Sequence, residues 1–167
     1  MQDLLGGTTL RETTFGWSNR DNLIEAADLL SSANTESFGY TTREMLNRAD
    51  GPYSDIEFTY DPVGNRLTRG VNDGTTTLPD SYNYPSDSNR LASIAHADGS
   101  TRGLTYDAAG NVIADIRNGT LYEYGYNAAG RMVSLSIDGV ATAEYVYNAL
   151  GQQVIQRNLL TGQVIHV

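Results

Sequence analysis

"FTYDPVGNRL" (residues 58–67) places two aromatic residues, Phe58 and Tyr60, two positions apart, then Asp61, Pro62 and Gly64, and leaves through Asn65, Arg66 and Leu67. Residues two apart on a strand project from one face, and Asp-Pro followed by glycine is turn chemistry. The stretch reads as strand, tight turn, returning strand. Nearly the same phrase returns as "LTYDAAGNVI" (104–113), "YGYNAAGRMV" (124–133) and "YVYNALGQQV" (145–154). A catalytic loop appears once, whereas a structural unit is copied.

Taking the second aromatic as the anchor gives Trp17, Tyr40, Tyr60, Tyr84, Tyr106, Tyr126 and Tyr147, a repeat of slightly over twenty residues. Two positions earlier stand Phe15, Phe38, Phe58, Tyr82, Leu104, Tyr124 and Tyr145, while the residue between is mostly small or polar. One face of every unit is therefore aromatic. After the anchor, Ser18, Thr41, Asp61, Asp107, Asn127 or Asn148 can accept a hydrogen bond from the backbone two residues on. Four or five positions after the anchor comes glycine or asparagine in most copies, Asn22, Gly64 with Asn65, Asn89, Gly110 with Asn111, Gly130 and Gly151, the second copy with Glu44 and Met45 being the exception, and glycine supplies the positive φ that lets the chain reverse. A second reversal between anchors is marked by Asp50-Gly51, Asp73-Gly74, Asp98-Gly99, Asn118-Gly119 and Asp138-Gly139. The first interval, "NLIEAADLLSSAN" (22–34), has apolar spacing that also suits a short helix. Ser31-Ser32 and the repeat phase favour strand, turn, strand.

Seven two-strand units predict an all-β domain over residues 1–167, with roughly fourteen antiparallel strands in a ribbon roughly 65 Å wide. A twisted sheet of that width curls, splits or closes, so the expected form is a curved wall. The 167 residues are 40% hydrophobic, and eleven basic against twenty acidic residues give a net charge of -9, which disfavours nucleic acid and anionic lipid. All eleven basic residues are arginine. Codon bias is one explanation; the other is that the sheet edges lack the usual lysine deterrent to pairing. With no cysteine, neither disulfides nor thiolate metal sites are available. The start "MQDLLGGTTLRETTFG" lacks the basic and apolar regions of a signal peptide, and no run reaches the ~18 apolar residues of a membrane span.

The phrases Tyr60-Asp61 through Gly64-Asn65 and Tyr106-Asp107 through Gly110-Asn111, in phase with Tyr126-Asn127-Gly130 and Tyr147-Asn148-Gly151, resemble the YD repeats of rearrangement-hotspot (Rhs) proteins, of the toxin-enclosing component of insecticidal toxin complexes, and of teneurins. The resemblance runs from Phe15 to Val167. It implies a long β-sheet strip spiralling into a cocoon-like shell that encloses a toxin polypeptide, with a secreted or cell-surface location. Such shells carry many more repeats, and release their toxin at an Asp-Pro-x-Gly-Leu motif. Here Asp61-Pro62-Val63-Gly64 is followed by Asn65, inside an ordinary repeat turn.

His96 and His166, seventy residues apart, fit no metal or triad spacing, and the carboxylates Asp98, Asp115, Glu123 and Asp138 form no named pair. No catalysis, metal or cofactor is expected. The leading expectation is a structural wall, part of a toxin shell or a self-assembling tube or filament. A carbohydrate-binding surface module is the alternative, because tyrosine faces with nearby Asn and Asp also hold sugars. Two strand edges are expected to be free, one at 9–17, where Arg11 and Glu12 offset each other, and one at Gln163, Val164, Ile165, His166 and Val167. The expected partners are further repeats or copies of this chain pairing at those edges, and an enclosed toxin polypeptide.

Overall fold

The computed structural model describes residues 2–5, 8–72 and 79–167. Among these are sixteen strands and one 3-10 turn, Ser32–Asn34, with no α-helix. The 22–34 interval is thus strand, turn, strand: its apolar residues follow the repeat phase. The Asp73-Gly74 reversal lies outside the described residues.

The chain divides into two compact units, Met1–Ser81 and Tyr82–Val167. In the first, β1 (Gln2–Leu5), β2 (Thr8–Trp17), β3 (Leu23–Asp28), β4 (Glu36–Tyr40), β5 (Leu46–Asp50), β6 (Asp55–Tyr60) and β7 (Arg66–Asn72) pair antiparallel in chain order, and β7 pairs with the start of β8 (Asp80–Asn83). In the second, β9 (Ser93–Ala95), β10 (Thr101–Tyr106), β11 (Val112–Arg117), β12 (Thr120–Tyr126), β13 (Met132–Ile137), β14 (Val140–Tyr147), β15 (Gln153–Asn158) and β16 (Val164–His166) do the same. Each unit is a meander built from the predicted hairpins. One expectation fails at the N-terminus: the strand at 9–17 is no free edge, because β1 covers it with Gln2 opposite Glu12.

Register places the aromatic pairs on one face. Phe15 lies opposite Ala26, Phe38 opposite Ala49, Phe58 opposite Arg69, Leu104 opposite Asp115, Tyr124 opposite Leu135 and Tyr145 opposite Gln156. Among the described residues the buried apolar ones are few, Ala26, Ala49, Ile94 and Ala143, three of them alanine. Among the described residues no second layer covers the face in either unit. Large apolar side chains of both units stay exposed, among them Trp17, Leu67, Ile113 and Ile116, as single sheets require.

Candidate functional site: the aromatic face and its fastenings

Six anchor turns share one geometry, headed by Ser18, Thr41, Asp61, Asp107, Asn127 and Asn148. Each head N–H donates to the carbonyl four residues on at 2.8–2.9 Å, and the N–H three residues on donates back to the head carbonyl at 2.9–3.2 Å. Each head side-chain oxygen accepts from the N–H four residues on at 2.8–3.2 Å. This is a type I turn closed by a left-handed residue and a one-residue bulge, which the register confirms beside every one of these anchors. In Asp61 and Asp107 the second carboxylate oxygen also accepts from the Asn65 and Asn111 side-chain amides, both at 2.8 Å. For Asp107 these bonds, led by Asn111, hold the carboxyl below its ordinary range.

Several copies depart from the expected glycine turn. The left-handed residue of the first copy is Asp21 (φ 59), just before Asn22, and the second copy is no exception, because Glu44 takes the position at φ 64. Gly64, Gly110, Gly130 and Gly151 fill it at φ 98, 94, 69 and 81. The head side chain fixes the turn strongly enough to force a non-glycine residue into left-handed backbone. The fourth copy is the real departure: after Tyr84 the turn runs from Pro85 to Ser88, and Asn89 has no positive φ. The Asp50-Gly51 reversal is also displaced, to a turn closed by the Ser54 N–H on the Gly51 carbonyl.

The anchor tyrosines carry a role the spacing did not announce. Tyr40 donates its hydroxyl to the Leu23 carbonyl, Tyr60 to Leu46, Tyr106 to Leu91, Tyr126 to Val112 and Tyr147 to Met132, at 2.6–2.9 Å. Each acceptor stands where the chain leaves the preceding unit's turn. The hydroxyl therefore fastens one repeat to the one before. For Tyr126, burial first and then the Tyr124 and Asp107 charges raise its pKa, which keeps it a donor. A signal was present in the sequence: six of seven anchors are tyrosine, whereas the position two earlier accepts Phe, Leu or Tyr.

Arginines run a second line of fastenings between successive turns. Arg20 donates to the Thr42 carbonyl at 3.1 Å, Arg43 to the Asp61 carbonyl at 2.7 Å and to the Pro62 carbonyl, and Arg90 to the Asp107 carbonyl at 3.0 Å. Arg66, Arg90, Arg117 and Arg131 lie over the rings of Phe58, Tyr106, Tyr122 and Tyr147 at 4.5–6.0 Å. A planar guanidinium both stacks and donates in a fork, which an ammonium does not.

The aromatic face of the second unit carries one charged centre. Asp115 is 1% exposed. Arg102 donates to it through Nε at 2.9 Å and Nη2 at 2.7 Å, and Arg117 through Nε at 2.9 Å. Burial pushes this carboxyl up, but the hydrogen bonds and charges of the two arginines outweigh it and hold the carboxyl below the ordinary range. Arg117 also donates to the Tyr124 hydroxyl at 3.2 Å.

No family model matches the chain. It is 34% identical over 104 residues to the tRNA3(Ser)-specific nuclease WapA of Bacillus spizizenii, a match covering 61% of this chain and 4% of that protein. Its fold matches the crystal structure of TcdB2-TccC3-TEV with TM-score 0.55 at 14% identity, over 93% of this chain and 12% of that one. It also matches a mutant Tc holotoxin pore of Photorhabdus luminescens with TM-score 0.53 at 14% identity, over 92% and 11%. These matches support the resemblance to Rhs-type YD repeats. The chain spans a small fraction of each relative, and the YD-repeat fold is what it shares with the toxin complexes.

The YD-repeat geometry gathers Tyr60, Asp61, Gly64, Asn65 and their equivalents into fastenings, and leaves Asp61-Pro62-Val63-Gly64 with its carboxylate already taken by the Val63 and Asn65 N–H groups and the Asn65 amide. Among the described residues no group of three His, Asp or Glu is placed to hold a metal, and no helix is long and apolar enough to cross a membrane. At the C-terminal end Val164 to His166 pair with Arg157 to Ile155, and the Val167 N–H donates to the Val154 carbonyl at 3.1 Å. Val164, Ile165 and Val167 are exposed.

Proposed function

We propose that this chain is a non-catalytic wall segment of an Rhs-type shell, one continuous 1–167 repeat domain that is extended by further repeats or copies and encloses a toxin polypeptide outside the producing cell. The observation that carries this reading is the direction of the repeated chemistry. The repeated hydroxyls, turn-head oxygens and turn arginines act on the backbone of the same or the adjacent repeat. A binding module would leave such groups aimed at solvent. β16 offers the edge for extension, with an uncharged strand whose apolar side chains are exposed.

The test is sedimentation of the intact chain and of a chain lacking 163–167 over a wide concentration range, with electron microscopy of the largest species. Concentration-dependent tubes, rings or walls that shrink with the deletion are expected, since head-to-tail contacts close into rings or grow into tubes. A monomer at every concentration, indifferent to the deletion, would overturn extension by pairing at this edge.

A further inference from the structure

The two faces of the second unit differ in charge as well as in aromatic content. Arg102, Asp115 and Arg117 lie on the aromatic face by register, and Arg90 and Arg131 stack on its tyrosines Tyr106 and Tyr147. Counting strand residues, two arginines against one aspartate leave that face at +1. On the opposite face the strands carry Glu123, Glu144 and Arg157, which leaves -1. Among the strand residues of this unit the aromatic side is thus the positive one, while the turns carry Asp87, Asp98, Asp107 and Asp138 against Arg90 and Arg131.

The Arg102–Asp115–Arg117 centre is the organised part of that field. One buried carboxylate orients two guanidiniums and neutralises one of them, so a net +1 remains at a place 39% open at Arg102 and 48% open at Arg117. Each arginine keeps its Nη1 outside these bonds, and the Tyr124 hydroxyl, which accepts from Arg117, retains its own proton to donate. A pre-oriented guanidinium pair beside phenol rings suits a carboxylate carried on an apolar chain.

We propose that the aromatic face of the second unit docks an acidic polypeptide segment, with Arg102, Arg117 and Tyr124 receiving its carboxylates. The inference deepens the shell reading by giving the enclosed polypeptide a chemistry, and rests on it for the identity of that partner. Charge complementarity selects the occupant: an acidic segment gains contacts here that a basic one is denied.

The test is fluorescence anisotropy of the intact 167-residue chain with a fluorescein-labelled peptide of repeated Glu-Phe-Ser and a counterpart with Arg in place of Glu. The acidic probe should bind at least about tenfold more tightly, with affinity falling as salt rises. Arg117→Gln and Arg102→Gln should each lose about tenfold, and Tyr124→Phe, which removes only a hydroxyl, about threefold. Arg157→Gln, on the far face and paired only with Glu144 at 3.2 Å, should bind as wild type. Equal binding of both probes, no binding by the intact chain, or equal effects of Tyr124→Phe and Arg157→Gln would overturn the proposal. An intact chain that binds the acidic probe yet never extends at β16 keeps this docking face and removes the shell-extension reading; the reverse result does the opposite.

Discussion

Tyr126→Phe isolates the fastening between repeats. The substitution keeps the ring and deletes one oxygen, so what is lost is the 2.9 Å bond to the Val112 carbonyl. A neutral hydrogen bond contributes about 1 kcal/mol net, and a partly buried carbonyl left without its donor recovers some of that from water, so the expected cost is about 0.5–1.5 kcal/mol. Unfolding entropy scales with size. If all 167 residues melt together, 1 kcal/mol lowers Tm by about 3 °C, whereas a second unit melting alone would lose about 6 °C. Calorimetry of wild type, Tyr126→Phe and Tyr122→Phe is the assay. Tyr122 stacks under Arg117 and its hydroxyl makes no hydrogen bond among the described residues, so Tyr122→Phe should be neutral. Equal melting of the two variants would refute the assignment of the anchor hydroxyl as the link between repeats.

Asp115→Asn should destabilise by about 3 kcal/mol, because two partly buried guanidiniums lose their counter-charge. Its folded pKa is depressed, so the stabilisation it gives is complete above the unfolded value of about 3.9 and is lost as pH falls below that; urea melts should show a steeper acid loss in wild type than in the variant. Gly151→Ala should cost more than Gly119→Ala: both sit at positive φ, about 1 kcal/mol each, but a Cβ at Gly151 also displaces the Arg131 guanidinium, whereas Gly119 faces open space. Equal denaturation midpoints would show that Arg131 contributes nothing at that turn. Glu44→Gly should stabilise by up to about 1 kcal/mol, since it relieves a left-handed non-glycine residue while giving up only an exposed 3.7 Å ion pair with Arg20; a destabilised variant would mean that Glu44 holds the turn by another contact.

The sequence by itself determined the strand and turn order, the aromatic face and the repeat length, because each rests on local rules. Alternation places Phe58 and Tyr60 on one side whatever lies next to them, and Asp61 can close its own turn with atoms no more than four residues away. Glu44 takes a glycine's backbone for an equally local reason, because Thr41 closes the turn around it. What neighbouring units decide stayed hidden. β1 caps the first unit through a pairing that no repeat phrase announces. The Tyr126 hydroxyl reaches Val112, fourteen residues back, and Asp115 is buried between arginines on two different strands. Those acts depend on register across strands, which sets which side chains share a row. Period-two alternation gives the face of a side chain, but only the folded sheet gives its neighbours, and so the gathering of Arg102, Asp115 and Arg117 into one centre was decided by tertiary structure.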